Sequence, residues 1–183
     1  RRSSDLKELL EHAANESGIC KELFENHDER PTNSFLYSLV MDTYSFGYSS
    51  SGFTDMPMNH KVFLAQFDAI KKLASEGPCV MVGRCADYAL SEYKDCFSVF
   101  VHADTDWRIN RLSQKHNKTA KEAKDMINKT DKSRSSYYNY YTNKKWGAAS
   151  SYNLCVDSSK LGIDGAAKAI IQAIEIFDSI KNK

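Results

Sequence analysis

The sequence has 183 residues, of which 27% are charged and 42% hydrophobic, and its formal net charge is +1 at pH 7. This composition is ordinary for a soluble globular protein, and so small a charge creates no field to attract bulk nucleic acid or an anionic membrane. No apolar run approaches the ~20 residues that a membrane-spanning helix needs. The length predicts one α/β domain over residues 1–183 with a substantial core.

The cysteines and histidines favour a reducing compartment and predict no metal site. The five cysteines are odd in number and contain no C-x-x-C pair, which favours free thiols and a cytoplasmic location. The histidines include no pair spaced four residues apart, as on a zinc-binding helix. The start of the chain is followed by no apolar segment of the kind found in secretory signals.

The first part of the chain predicts two helices, a turn and a loop. Apolar residues recur at helical spacing from Leu6 to Ala14, and a second short helix is predicted over 20–27. A polar turn containing a proline follows at 28–34. Residues 45–58 contain glycines and serines without a clear period, which predicts either a flexible loop or a plain connector.

A helix predicted over 59–76 leads directly to the stretch around which the chain is organised. Residues 79–82 are apolar and follow a Gly-Pro stop, which predicts a strand buried on both faces of a parallel sheet. Gly83 allows a sharp turn, so Arg84 lies beyond the strand's carboxyl end, where open α/β sheets bind ligands. A guanidinium there suits a phosphate; pairing with a structural carboxylate is the alternative.

The next strand is predicted at 96–101 and is followed by a helix whose N-cap is Asp104. This helix carries Arg108 and Arg111. Both arginines are interpreted either as solvated charges on the helix face or as nucleotide ligands, and the sequence leaves the two open.

A further helix begins at the capping box formed by Thr119 and Glu122 and is predicted to end near residue 129. A last strand is predicted at 152–156, a turn at 157–159, and a closing helix whose N-cap is Asp164. Strands that alternate with helices in this way predict a parallel sheet with right-handed crossovers.

Residues 130–147 combine four cations with four tyrosines and one tryptophan, and contain no leucine, isoleucine or valine. Because a core segment would contain aliphatic residues, this composition predicts a lid whose cations meet phosphates and whose rings cover a base or a sugar. The alternatives are a solvated basic helix end and a platform for single-stranded nucleic acid. The near-zero net charge disfavours nucleic acid.

Five sequence segments, in order along the chain, match motifs of a known family. They lie at 28–32, 77–87, 130–141, 145–147 and 158–164. Together they resemble the cytidylate kinase-like family, within the P-loop nucleoside monophosphate kinases. The resemblance implies a three-layer P-loop kinase fold, with a parallel sheet in the order 2-3-1-4-5 flanked by helices and a basic, aromatic lid. It also implies transfer of the γ-phosphoryl group of ATP, with Mg²⁺, to a nucleoside monophosphate such as CMP.

The resemblance also implies roles for individual residues. Arg84 matches the arginine that holds the acceptor's phosphate, Lys132 and Arg134 match basic lid positions, and Asp131 falls where a carboxylate contacts a sugar or orients an arginine. The predicted catalytic residues are Arg84, Lys132 and Arg134. The predicted substrate-binding residues are Arg84, Asp87, Arg108, Arg111 and Asp131.

The sequence departs from the family in two places. Cys85 follows Arg84 where the family has an aspartate, and no glycine-rich loop for the donor phosphates is present. We therefore expect the natural chain to carry a further strand and loop at its N-terminus. A non-catalytic nucleotide-binding or regulatory module is the alternative function, and a kinase that acts on another small acceptor is a third. The sequence leaves the oligomeric state open.

Overall fold

A computed structural model describes residues 2–3 and 58–181 of the chain, and these form an α/β arrangement of mostly helices. The chain divides into two compact units at Glu92–Tyr93, and each unit is described by itself. The elements are β1 (Arg2–Ser3), α1 (Met58–Ser75), β2 (Cys79–Val80), α2 (Ala86–Ala89), β3 (Val99–His102), α3 (Thr105–His116), α4 (Ala120–Thr142), β4 (Leu154–Asp157) and α5 (Ser158–Lys181).

Among the described residues, each unit holds one small parallel sheet. β1 pairs with β2 in the first unit, and β3 pairs with β4 in the second. Parallel pairing and the α/β class are confirmed, whereas the five-stranded order 2-3-1-4-5 and the single domain stay predictions. The helices, turn and loop predicted between residues 6 and 57, including the loop at 45–58, lie outside the described residues.

In the first unit, α1 confirms the helix predicted over 59–76. Its side chains are buried around most of its circumference rather than on one face; the buried ones are His60, Val62, Phe63, Leu64, Ala65, Gln66, Ala69, Ile70 and Leu73. Phe67 meets Phe63 on its own helix and Tyr88 on α2, at centroid distances of 5.9 and 6.2 Å. α1 is therefore the central element of this unit's described core.

The strand after α1 is shorter and more exposed than predicted. It ends at Val80 rather than at 82, and the side chains of Val80 and Val82 are 56% and 68% exposed. The prediction of a strand buried on both faces is wrong for these two residues. Among the described residues β2 has one neighbouring strand, the two-residue β1.

In the second unit, β3 is shifted from the predicted 96–101, and β4 begins two residues later than predicted. Asp104 is the N-cap of α3, as predicted, although its side chain makes no capping hydrogen bond. The capping box of α4 is confirmed in full: the Thr119 hydroxyl accepts from the Glu122 backbone N–H, and the Glu122 carboxylate accepts from the Thr119 N–H.

The predicted end of α4 near residue 129 is wrong, because the helix continues to Thr142. Tyr137, Tyr138 and Tyr141 are buried together with Ala123 and Ile127. The tyrosines therefore fill the core in place of aliphatic residues, since a phenol ring buries a large apolar area. The inference that a segment without aliphatics lies outside the core is wrong for these residues.

A short helical segment that was not predicted precedes the closing helix. α5 starts at Ser158, directly after β4, so the predicted turn at 157–159 consists of the last residue of β4 and the first two residues of α5. Gly162 interrupts the helix with φ 68° and ψ 172°, and Asp164 lies just beyond this kink. Within the described part of the chain, no helix has the length and apolar content needed to cross a membrane.

The burial of Tyr141 predicts a large loss of stability on truncation. We expect Tyr141→Ala, at a side chain that is 0% exposed, to lower the free energy of unfolding by about 3–5 kcal/mol. Tyr93→Ala is the matched control, because the same side chain there is 38% exposed, and we expect a loss of less than about 1 kcal/mol. Urea unfolding followed by circular dichroism measures both. Equal losses would contradict the assignment of Tyr141 to the core.

The capping box predicts a loss of stability in acid. Hydrogen bonds from the Thr119 side chain and backbone lower the pKa of Glu122 below its ordinary value of 4.5. The unfolded chain has the ordinary pKa, so this stabilisation is complete above about pH 4.5 and is lost as the pH falls through the lowered pKa. We expect Glu122→Gln to flatten the decline of the thermal midpoint between pH 5 and 3, roughly the range over which a carboxyl titrates. An unchanged decline would show that the box does not respond to pH.

Candidate functional site

The turn that follows β2 is a left-handed segment of three residues. Gly83, Arg84 and Cys85 have φ angles of 74°, 57° and 55°, and the turn closes when the Ala86 N–H donates to the Gly83 carbonyl over 3.1 Å. Glycine adopts this conformation freely, but it costs an L-residue with a Cβ roughly 1–2 kcal/mol. Two consecutive strained residues are a feature found at ligand sites and switch segments.

Arg84 is buried in this turn, with a side chain that is only 5% exposed. Asp87 is half-buried in the first turn of α2. A buried guanidinium requires a compensating anion or hydrogen-bond acceptors, so both interpretations made from the sequence, a phosphate or a structural carboxylate, stay open. The predicted roles of Arg84 and Asp87 remain predictions.

The second unit contains a bidentate ion pair between α3 and α4. Arg108 Nη1 donates to Asp131 Oδ2 and Arg108 Nη2 donates to Asp131 Oδ1, each over 2.7 Å. The side chains are 31% and 28% exposed. Of the two sequence interpretations of Asp131, the structure shows the contact with an arginine.

Helical spacing explains why Asp131 points toward α3. It lies four residues after Ile127 and seven before Tyr138, and both of these are buried, so all three share one face of α4. That face packs against α3. Arg108 is in the first turn of α3, where its backbone N–H donates to the Asp104 carbonyl. The pair therefore lies close to the carboxyl end of β3.

The ion pair stabilises the protonated, positively charged form of Arg108. Its hydrogen bonds to Asp131, together with the charge of that carboxylate, raise the pKa of Arg108 against the opposing effect of partial burial. The guanidinium therefore stays protonated, and two parallel hydrogen bonds fix the orientation of its plane.

The other predicted basic residues of this unit are more exposed. Arg111 lies over the Trp107 ring, with its guanidinium carbon 5.5 Å from the ring centroid, and both residues line a shallow surface depression with Asn110 and Gln114. Lys132 and Arg134 are exposed on α4. The structure thus joins Asp131 to Arg108, and it leaves the nucleotide roles of Arg111, Lys132 and Arg134 as predictions.

Polar groups at the carboxyl ends of β3 and β4 form a network that the sequence reasoning missed. The Ser159 hydroxyl donates to Asp157 and accepts from the Asp104 backbone N–H, and Lys160 Nζ lies 3.2 Å from Asp104 Oδ2. Hydrogen bonds from Ser159 lower the pKa of Asp157. The position of these residues directly after predicted strands was the available signal.

The aromatic rings of 130–147 mostly face protein. Phe100 on β3 contacts Trp146 and Tyr152 at centroid distances of 5.2 and 5.0 Å, and Tyr152 stacks on Tyr138 at 5.9 Å. Gly147 permits this packing, because a Cβ there would lie 3.3 Å from the Phe100 ring. The prediction that the tyrosine rings as a group cover a base or sugar is therefore wrong for the three buried ones, Tyr137, Tyr138 and Tyr141.

No group of three or more His, Cys, Asp or Glu side chains that could hold a metal ion occurs in the described ranges 2–3 and 58–181. Mg²⁺ commonly binds through substrate phosphates and one or two carboxylates rather than through a cage of protein ligands.

Comparisons with known proteins agree with this α/β arrangement. The sequence profile of the cytidylate kinase-like family matches residues 4–160. A crystal structure of an uncharacterized protein from Eubacterium ventriosum is similar to this chain with 34% sequence identity and a TM-score of 0.61; the match covers 64% of this chain and 74% of that one. A search among curated proteins found no match.

The left-handed turn predicts a stability difference between two variants that both lack the guanidinium. We expect Arg84→Gly to be more stable than Arg84→Ala by about 1 kcal/mol, because only glycine adopts φ 57° without strain. Chemical unfolding of the two proteins under identical conditions measures the difference. If alanine were the more stable residue at position 84, the turn could not be left-handed there.

Proposed function

The chain belongs to the cytidylate kinase-like family, and from this premise we propose that it transfers the γ-phosphoryl group of ATP, supplied as its Mg²⁺ complex, to a nucleoside monophosphate such as CMP. A phosphate oxygen of the acceptor attacks the γ-phosphorus, and the bond from that phosphorus to the β,γ-bridging oxygen breaks. The products are ADP and a nucleoside diphosphate.

The observation that carries this proposal is the fixed cation at the carboxyl end of β3. Asp131 holds the Arg108 guanidinium with two hydrogen bonds of 2.7 Å. Phosphoryl transfer depends on positioning and charge neutralisation more than on acid–base chemistry, because the transferred group's charge is spread over its oxygens. A preorganised guanidinium supplies such neutralisation without reorganising during the reaction.

The remaining roles in the proposal follow the family pattern. Arg84 anchors the phosphate of the acceptor, and Lys132 and Arg134 approach the phosphates from the exposed side of α4. Arg111 lies over the Trp107 ring and offers a second cation on α3. Closing Lys132 and Arg134 over the nucleotide would exclude water and prevent hydrolysis of ATP.

A second candidate is a nucleotide-binding module without catalysis. The burial of Arg84, with 5% of its side chain exposed, favours this candidate, because a cation enclosed by protein is less accessible to an acceptor phosphate. Cys85 also stands where the family has an aspartate. The module would bind a nucleotide in the second unit but would produce no ADP.

An ADP-release assay tests the proposed reaction. With Mg²⁺–ATP and each common nucleoside monophosphate in turn, we expect turnover that depends on one acceptor. We expect Arg134→Ala to lower kcat by about 10³-fold, the lower end of the effect of an arginine at a transferring phosphoryl group. Lys121→Ala is the control: Lys121 is also exposed on α4, but lies about 20 Å along the helix from Arg134, and should leave kcat unchanged.

Calorimetric titration separates the two candidates. A catalyst binds Mg²⁺–ATP and the monophosphate together, whereas the module binds one of them and releases no ADP. Turnover that survives Arg134→Ala undiminished would contradict the role given to that residue, and binding without turnover for every acceptor would favour the module.

A further inference from the structure

The net charge of +1 is the sum of two unlike halves of the chain. Residues 1–92 hold nine Lys and Arg against fourteen Asp and Glu, whereas residues 93–183 hold sixteen against ten. The basic excess is concentrated in residues 108–134, which contain nine Lys and Arg and three Asp and Glu. A ligand responds to charges within about one Debye length, ~8 Å at physiological salt, so a local excess outweighs the near-zero total.

This basic segment lies on a hairpin of two helices. It covers most of α3 and the first half of α4, which pack against each other. Five lysines of the hairpin are exposed and have no place in the proposed phosphoryl transfer. We call them the hairpin lysines: Lys115, Lys118, Lys121, Lys124 and Lys129.

The three carboxylates of the same segment offset only part of this charge. Asp131 is engaged by Arg108, and Glu122 accepts from the Thr119 backbone and hydroxyl in the capping box. Asp125 is the third, and it is exposed among the lysines. The hairpin surface therefore keeps an excess of positive charge.

Two of the lysines lie where a helix disfavours them. Lys118 directly precedes the N-cap Thr119, and Lys121 is the second residue of α4. Cations near a helix N-terminus oppose the helix dipole, which favours anions there. A local rule that is broken without a structural gain is expected where a residue serves a function.

The scarcity of exposed apolar side chains on the hairpin distinguishes nucleic acid from other anionic partners. A stable protein interface has an apolar centre that is depleted of charged residues, and a helix lying in a membrane surface needs an apolar face. Among the exposed large hydrophobic side chains of the described residues, only Met126 lies on the hairpin. Binding along a nucleic acid backbone depends instead on neutralised phosphates.

We propose that the hairpin lysines bind nucleic acid through its phosphate backbone, without reading the bases. The surface is separate from the residues given to phosphoryl transfer, and the binding goes beyond that proposed function. It also revises the sequence-based expectation that nucleic acid is not a partner, because that expectation rested on the charge of the whole chain.

Fluorescence anisotropy with labelled oligouridine and oligoadenosine tests the proposal on the full chain. We expect the two to bind equally, since phosphate contacts carry no sequence information. The logarithm of the association constant should fall against the logarithm of the salt concentration with a slope of about −3.5, because each of the five lysines contributes about −0.7 on a single strand.

A triple variant removes the centre of the surface. We expect Lys118→Gln/Lys121→Gln/Lys124→Gln to weaken binding at least ~10-fold and to reduce the steepness of the salt dependence by about 2. The three matching Lys→Arg replacements keep the charges and should keep the affinity. Thermal unfolding of each variant confirms that the replacements leave the protein folded, as expected at exposed positions.

The matched control removes the same charge from elsewhere. Lys72, Lys94 and Lys168 are exposed and lie outside the hairpin, so Lys72→Gln/Lys94→Gln/Lys168→Gln should retain both the affinity and the salt dependence. An equal loss in the two triple variants would show that only the net charge matters, and would overturn the proposal.

Other partners give other results. The proposal fails if the unmodified protein binds neither oligonucleotide at low salt, if polyglutamate binds as tightly as oligouridine, or if phosphatidylserine vesicles bind where the oligonucleotides do not. The proposed kinase activity fails separately. A protein that binds oligonucleotides through the hairpin lysines, but releases no ADP with any acceptor, would retain this surface and lose the phosphoryl transfer.

Discussion

The parallel pairing of β3 with β4 is the constraint on which the second unit depends. Four residue pairs hold the strands in register, from Val99 with Leu154 to His102 with Asp157, so both strands end at the same edge. Within three residues of that edge the chain turns into α3 after one strand and into α5 after the other. This places Arg108 beside the strand ends, where α/β sheets bind ligands.

α4 serves as a core element and as a charged surface at once. Ile127, Tyr138 and Tyr141 recur at helical spacing and are buried, and Asp131 falls on the same face. Lys132 lies off this face, whereas Arg134 lies on it, seven residues after Ile127; both are exposed. The helical period therefore separates the carboxylate that contacts α3 from Lys132, but not from Arg134.

The turn at residues 83–85 in the first unit combines a strained backbone with buried side chains. A left-handed run with two non-glycine residues is retained only when its surroundings enforce it. The buried side chains of Arg84 and Cys85 supply such surroundings. The Arg84 side chain is therefore enclosed by protein.

The sequence by itself determined the features that depend on neighbours along the chain. The period of α1, the N-cap Asp104 and the Thr119–Glu122 capping box are set within a few residues, and the family strings identified the chain's relatives. The strand boundaries, the length of α4 and the helical segment that begins at Ser158 were missed, because each depends on packing against distant residues.

Only the tertiary structure decided what each side chain meets. The composition of 130–147 suggested a surface lid, but Tyr138 stacks on Tyr152 and Trp146 packs on Phe100, contacts between residues far apart in sequence that no local pattern encodes. Asp131 could have faced a ligand or an arginine, and its partner Arg108 lies 23 residues away. Chain periodicity assigns a residue to a face, and only the fold determines which group lies opposite it.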